Sequence, residues 1–136
     1  GNPVDAVLAK NDGMAEAAIE ALSVAGLSVP VGGQDVDPAA LNRVAQGTQT
    51  VSVWKNNFEL AKRAGKIAGL LADDTPMNLA PEAARFTGSE KGIAVWSILM
   101  TPTAVTADSL DVVIEAGLVA KEAVCKGALP AVAAFL

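Results

Sequence analysis

The sequence has 136 residues, a hydrophobic fraction of 51% and a formal net charge of −5. This length suits one domain with a single core. The negative charge disfavours nucleic acid and anionic membranes as partners, because both attract clustered positive charge. With no histidine and one cysteine, the chain cannot assemble a Ser-His-Asp triad, a Cys-His pair, an intrachain disulfide or the usual N/S zinc sites.

Three strand-then-helix units follow one another from the N-terminus. The first has an apolar run at residues 4–9 and a helical stripe that ends at Gly26. The second has a strand at residues 29–33 and a helix between Asp37 and Gly47. The third has a strand at residues 50–54 and a helix at residues 58–72. This alternation predicts an α/β fold with a parallel sheet flanked by helices.

The pattern changes after residue 73. Residues 85–87 and 93–100 are typical of two strands around a turn at residues 88–92. A helix capped by Thr106 and ended by Gly117 follows, with a shorter helical turn at residues 119–125. We expect the apolar tail, residues 128–136, to be a packed end or a segment that needs a partner surface. The first residues lack a signal-peptide pattern, and the chain begins as though cut from something longer.

Polar residues stand at the ends of the three predicted parallel strands. Asn11 follows the first, Asp35 the second and Lys55 the third. Ligands of open parallel sheets bind at the carboxyl ends of the strands. An amide, a carboxylate and an ammonium together can donate to and accept from the hydroxyl groups of a sugar. We therefore predict that the three side chains form one side of a carbohydrate site.

Two of these residues have a simpler alternative as helix caps. An Asn-Asp pair commonly caps a helix, and we assign capping to Asp12 and ligand binding to Asn11. Asp37 stands directly before Pro38 and carries a stronger capping signal than Asp35. This leaves Asp35 for the ligand.

The remaining candidates are also open to a structural interpretation. Lys55 alone would be an ordinary solvated charge after a strand. Trp54 and Trp96 could stack on a sugar face, although large aromatic residues more often pack in cores or hinges. We retain Trp54 as a possible stacking residue.

Three segments of the sequence resemble a known family. The strings NDGMAEAAIEAL, GGQDVDPAALNRVAQGTQTVSVWK and WSILMTPTAVTADSLDVVIEAG occur in this order. They closely resemble the C-terminal part of type I periplasmic sugar-binding proteins, in particular the xylose-binding proteins of ABC transporters. The pattern GQD.D...L.R...GTQT..V.K is specific, whereas ND.MA..A..AL also fits ribose binders and LacI-type repressors.

The resemblance implies a two-lobed, non-enzymatic protein without a cofactor. In similar proteins the residues that match Asn11, Asp35 and Lys55 touch the bound sugar. Residues 1–55 and about 103–136 would form the C-terminal lobe, and about 56–102 would cross the hinge and pack with the other lobe. The implied partners are xylose or a similar pentose, the missing N-terminal lobe and an ABC permease, and the implied location is the periplasm. Self-association of this chain is also expected.

Two other functions stay open at the level of sequence. The ligand-binding core of a LacI-type regulator has a related fold, but would be joined to a DNA-binding head, which this chain does not contain. A flavodoxin-like phosphoacceptor domain needs an acidic cluster at the end of the first strand and a lysine, which Asp12, Asp35 and Lys55 imitate loosely.

Overall fold

The computed structural model describes residues 4–88 and 90–136. The chain divides into two compact units, and the first runs to Trp54 and resumes over Pro102–Leu136. The second unit is Lys55–Thr101.

Strands and helices alternate through the first half of the chain. The strands are β1 (Val7–Leu8), β2 (Val31–Gln34), β3 (Val51–Trp54), β4 (Ala84–Phe86), β5 (Val95–Ser97) and β6 (Thr103–Val105). The helices are α1 (Asp12–Val24), α2 (Pro38–Gln46), α3 (Asn57–Ala72), α4 (Asp111–Glu115), α5 (Lys121–Cys125) and α6 (Pro130–Phe135), with short 3₁₀ turns at Met77–Leu79 and Ala107–Ser109.

The first unit contains a four-stranded sheet in the order β1-β2-β3-β6. Strands β1, β2 and β3 are parallel, with Val7 opposite Val31 and Gly32 opposite Val51. The last strand, β6, runs antiparallel to β3. Because β1, β2 and β3 point the same way, their carboxyl ends lie at one edge of the sheet.

The core of this unit joins α2 to the C-terminal helices. Its buried members come from the β2–α2 turn, α2, β6 and the segments after β6, and they are Val36, Leu41, Val44, Ala45, Val105, Leu110, Val113, Val124 and Val132. The Asn42 amide on α2 donates to the Val124 carbonyl at 2.8 Å and to the Lys126 carbonyl at 2.7 Å. Apolar burial and these two hydrogen bonds together hold α2 against α5.

The second unit is built from α3 and an antiparallel hairpin. Asn56 caps α3 by accepting from the Glu59 N–H at 3.1 Å. Strands β4 and β5 pair with Arg85 opposite Trp96, and the Arg85 guanidinium lies 5.3 Å from the centre of the Trp96 ring. None of the α3 residues is fully buried.

The expected fold class is confirmed, because the first unit is a parallel α/β sheet with flanking helices. The hairpin predicted after residue 73 is also present as β4 and β5. Three details differ: β1 has two residues rather than six, the unpredicted β6 adds an antiparallel strand, and part of the apolar tail forms α6. Among the described residues, no helix combines the length and apolar character that crossing a membrane would take.

Candidate functional site

Two of the predicted site residues follow strands that end at the same edge of the sheet. Asp35 comes directly after β2, and Asn11 comes three residues after β1. The Gln34 side-chain amide donates to the Lys10 carbonyl at 3.3 Å, which links the two connections. The structure therefore brings Asn11 and Asp35 to neighbouring loops at the carboxyl edge, as the strand-end rule predicts.

Asn11 is the N-cap residue of α1. Its backbone is extended, with φ −152° and ψ 173°, and its side-chain Oδ1 accepts from the Met14 N–H at 2.9 Å. Capping thus belongs to Asn11 and not to Asp12, to which the sequence analysis assigned it. The cap also fixes the orientation of the amide, because Oδ1 is engaged with the helix and Nδ2 is the group that can donate to a ligand.

Asp35 lies in an unusual backbone turn between β2 and α2. The φ angles are 105° at Asp35 and 55° at Val36, both in the region that L-residues seldom adopt. The Asp35 N–H donates to the Val53 carbonyl at 3.0 Å, which extends the β2–β3 pairing by one residue. Asp37 occupies the N-cap position of α2 but makes no side-chain cap hydrogen bond.

Asp12 is a buried hydrogen-bonding centre beneath this turn. Its side chain is 1% exposed. Oδ2 accepts from the Ser52 hydroxyl at 2.7 Å and from the Asp37 N–H at 3.0 Å, and Oδ1 accepts from the Gln49 amide at 2.9 Å. A buried carboxylate is tolerated when its lone pairs are satisfied in this way.

Arg43 and Gln49 extend the network toward α1. The Arg43 guanidinium donates to Gln49 Oε1 at 3.1 Å and to the Asp12 carbonyl at 3.2 Å, and it pairs with the Glu16 carboxylate at 3.3 Å. In the described part of the chain, no buried side-chain nitrogen or oxygen lacks a hydrogen-bond partner. Sequence reasoning missed this network, and its one local signal is a small polar residue, Ser52, between two valines of β3.

Negative charge accumulates around the turn. Desolvation raises the pKa of Asp37 above its ordinary value, and the neighbouring carboxylates of Asp12 and Asp35 raise it further. Arg43 acts in the opposite direction. Asp35 and Asp37, which are not buried, thus give this edge of the sheet carboxylate acceptors, and these suit the donor hydroxyls of a polyol.

Ligand contacts of the other two candidate residues, Lys55 and Trp54, stay predictions. Lys55 follows β3 in sequence, is exposed, and is the first residue of the second unit. Trp54 is half-buried and packs against the core of the first unit. This contact is the structural alternative to stacking on a sugar.

A cavity of about 510 Å³ lies elsewhere in the first unit. It is lined by the end of α1 and by the segments that lead into β2 and β3, including Leu22, Leu27, Pro30 and Thr48. These segments belong to the amino ends of the strands, so the cavity is at the opposite edge from Asn11 and Asp35. The chemistry of the candidate site is therefore at an open edge and not in this cavity.

Residues 1–76 match the family described as periplasmic binding protein domain. Over 69 residues the chain is 51% identical to the D-xylose-binding periplasmic proteins of Haemophilus influenzae and Escherichia coli. Each alignment covers 49% of this chain and 21% of the relative, so the matched segment spans about a fifth of these proteins.

Solved structures are similar over most of the chain. A carbohydrate transporter solute-binding protein from Chloroflexus aurantiacus in complex with D-glucose gives a TM-score of 0.73 at 27% identity, covering 87% of this chain and 34% of that one. An ABC transporter solute-binding protein from Clostridium phytofermentans with bound β-D-glucose gives a TM-score of 0.71 at 26% identity. This match covers 91% of this chain and 38% of that one. A Caulobacter myo-inositol-binding protein bound to myo-inositol gives a TM-score of 0.61 at 28% identity. This match covers 85% of this chain and 34% of that one.

Proposed function

The chain belongs to the periplasmic binding protein domain family, and we propose that it forms part of a non-enzymatic, two-lobed solute-binding protein that holds a monosaccharide in the cleft between its lobes. The proposed ligand is xylose or a similar pentose. The names of the relatives from Haemophilus influenzae and Escherichia coli support xylose. The solved neighbours hold glucose or myo-inositol, which supports a cyclic polyol more generally.

One observation carries this proposal: Asp35 stands at the end of β2 in a turn with positive φ whose backbone is fixed by hydrogen bonds. Strained backbone that is held in place is concentrated at binding sites. A carboxylate there can accept from two adjacent hydroxyls, while the Asn11 amide on the neighbouring loop can donate. Lys55 would add an ammonium donor, and Trp54 remains a possible stacking residue.

The buried position of Asp12 favours ligand binding over the phosphoacceptor alternative. A phosphoacceptor needs accessible carboxylates at the end of the first strand. Asp12 is covered, and both of its oxygens accept hydrogen bonds from within the protein. The first acidic group after β1 is therefore part of the scaffold.

The wider biological setting follows from the same proposal. Residues 1–55 and about 103–136 would belong to the C-terminal lobe, and about 56–102 would cross the hinge and pack with the N-terminal lobe. The complete protein would work in the periplasm and deliver its sugar to an ABC permease. It would need no cofactor, because binding and release involve no covalent chemistry.

In the complete two-lobed protein, Asp35→Ala is expected to weaken sugar binding by about 2 kcal/mol, since ligand hydroxyls would be desolvated without an acceptor. Asp35→Asn, which tolerates positive φ better than alanine, separates loss of the carboxylate from strain in the turn. Calorimetric titration with D-xylose, D-ribose and D-glucose measures the effect. Asp5→Ala is the control, because it removes an exposed acid before β1. Unchanged affinity in both Asp35 variants would contradict the proposed site.

This chain alone is expected to bind monosaccharides much more weakly than the complete protein. A cleft encloses its ligand between two surfaces, and each surface excludes water from the hydrogen bonds of the other. The chain is also expected to self-associate, because Phe58 on α3 is 79% exposed and Phe135 in the tail is 57% exposed. Light scattering and xylose titration of one sample test both points. A monomer with micromolar affinity would show that the chain is a self-sufficient binding domain.

A further inference from the structure

Two covered polar side chains lie under the turn that carries Asp35. Ser52 in the middle of β3 is 0% exposed, and Asp12 at the start of α1 is 1% exposed. Neither side chain presents surface to a solute at the edge of the sheet. Any influence that they have on a ligand is therefore indirect.

The two side chains bind consecutive backbone groups of the turn. The N–H of Val36 donates to Ser52 Oγ at 3.0 Å, and the N–H of Asp37 donates to Asp12 Oδ2 at 3.0 Å. With the bond from the Asp35 N–H to the Val53 carbonyl, also 3.0 Å, three successive N–H groups are fixed. All three acceptors belong to other elements of the fold.

The direction of each hydrogen bond is determined by the chemistry of the groups. An N–H group can only donate, and a carboxylate can only accept. The Ser52 hydroxyl therefore donates its proton to Asp12 Oδ2, at 2.7 Å, and uses its lone pairs to accept from Val36. With Asp12 as a carboxylate, the hydrogen bonds run in one direction, from the Val36 N–H through the Ser52 hydroxyl to Asp12 Oδ2.

Val36 shows why the turn needs this support. Positive φ is a genuine outlier for a β-branched residue, and here φ is 55°. Such a conformation persists only when the surroundings over-determine it. Val36 is also 6% exposed and belongs to the apolar core, so burial of its side chain and the bond to its N–H act together.

We propose that Ser52 and Asp12 are positioning residues, which hold the β2–α2 turn in its positive-φ conformation and thereby place the Asp35 carboxylate for the ligand. The ligand part rests on the function proposed above. Without the Ser52 hydroxyl, the Val36 N–H loses its acceptor and the turn can relax toward negative φ. Relaxation would rotate the adjoining Asp35 peptide and move its side chain away from the ligand edge.

The test compares Ser52→Ala with Thr50→Val in the complete two-lobed protein. Each variant deletes a hydroxyl that accepts a hydrogen bond from a backbone N–H, since Thr50, directly before β3, accepts through Oγ1 from the Val31 N–H at 3.2 Å. Only the Ser52 bond belongs to the turn. Ser52→Ala is expected to weaken D-xylose binding roughly tenfold, the effect of one displaced charged hydrogen bond, and Thr50→Val is expected to leave it unchanged. Titrations are made below the onset of unfolding of every variant.

A double-mutant cycle separates positioning from general destabilisation. If Ser52 acts through Asp35, Ser52→Ala causes little further loss of affinity in an Asp35→Ala background. Equal losses in the two backgrounds would overturn the proposal. So would a Ser52→Ala protein that binds D-xylose as tightly as Thr50→Val.

Hydrogen exchange at the backbone gives a readout that does not depend on sugar. The amides of Val36 and Asp37 are expected to exchange roughly tenfold faster in Ser52→Ala than in Thr50→Val, because a local opening is less costly when its hydrogen bond is missing. Equal exchange rates would overturn the proposed hold on the turn. If exchange differs as expected but the parent protein binds no monosaccharide, the proposed function is wrong. The proposal that Ser52 and Asp12 fix the conformation of the turn would then still be supported.

Discussion

Replacing Gly33 by alanine is expected to lower the free energy of unfolding of this chain by about 3 kcal/mol, or to prevent folding, because overpacking here also displaces a buried carboxylate. A Cβ atom at Gly33 would overlap Asp12 Oδ1 and would lie 2.8 Å from Gln49 Nε2 and 3.2 Å from the Ala15 Cβ. The backbone of β2 can pass the buried network only because residue 33 has no side chain.

Urea unfolding followed by circular dichroism measures this change, with Gly13→Ala as the matched control. A Cβ atom at Gly13 would lie 3.7 Å from Asn11 Oδ1, which is ordinary contact. Alanine is favoured over glycine in a helix, and Gly13 lies in the first turn of α1, so the control is expected to keep its stability or to gain up to about 1 kcal/mol. If both variants unfold at the same urea concentration, Asp12 and Gln49 can move aside, and the close packing described for Gly33 is not required.

The repeated strand–helix units could be predicted because their signals are local. Pro38 stands in the first turn of α2, and Gly47 ends that helix with φ 77°, as the sequence indicates. Alternation of such units then predicts that β1, β2 and β3 run parallel, by a general rule of topology. The strand-end positions of Asn11 and Asp35 follow from the same rule and needed no knowledge of contacts.

The antiparallel strand β6 could not be predicted in this way. It has three residues, of which Val105 alone is buried. Its pairing is with β3, about 50 residues earlier in the chain, at the register Ser52 to Val105. A segment this short carries no periodic signal, and a distant partner determines its conformation.

The sequence could not show whether Asn11 or Asp12 caps α1, because the two assignments place the start of the helix only one residue apart. An Asn-Asp pair before a helix fits either cap. The choice was made by contacts far along the chain, since the partners of Asp12 are Asp37, Gln49 and Ser52, which lie 25, 37 and 40 residues away. The positive φ of Val36 could not be predicted from the sequence either, because valine is among the residues that disfavour this conformation.

Asp12→Ala is expected to destabilise the chain by about 3 kcal/mol or more, because three buried or half-buried donors would lose their acceptor and each such loss costs about 1–3 kcal/mol. Those donors are the Asp37 N–H, the Gln49 amide and the Ser52 hydroxyl. Asn11→Ala removes only the cap bond to the Met14 N–H and is expected to cost about 1 kcal/mol.

The isosteric variant Asp12→Asn determines whether the carboxylate or only its shape is needed. Asparagine keeps one acceptor oxygen, which can serve either the Gln49 amide or the Ser52 hydroxyl and the Asp37 N–H. Its Nδ2 group would then point at the remaining donor, where the Asp12 carboxylate now accepts. We therefore expect a loss of stability between those of Asn11→Ala and Asp12→Ala, measured from urea midpoints at constant m-value. If Asp12→Ala and Asn11→Ala lose the same stability, Asp12 contributes no more than a helix cap would. A large loss in Asp12→Asn as well would show that the network requires both carboxylate oxygens as acceptors.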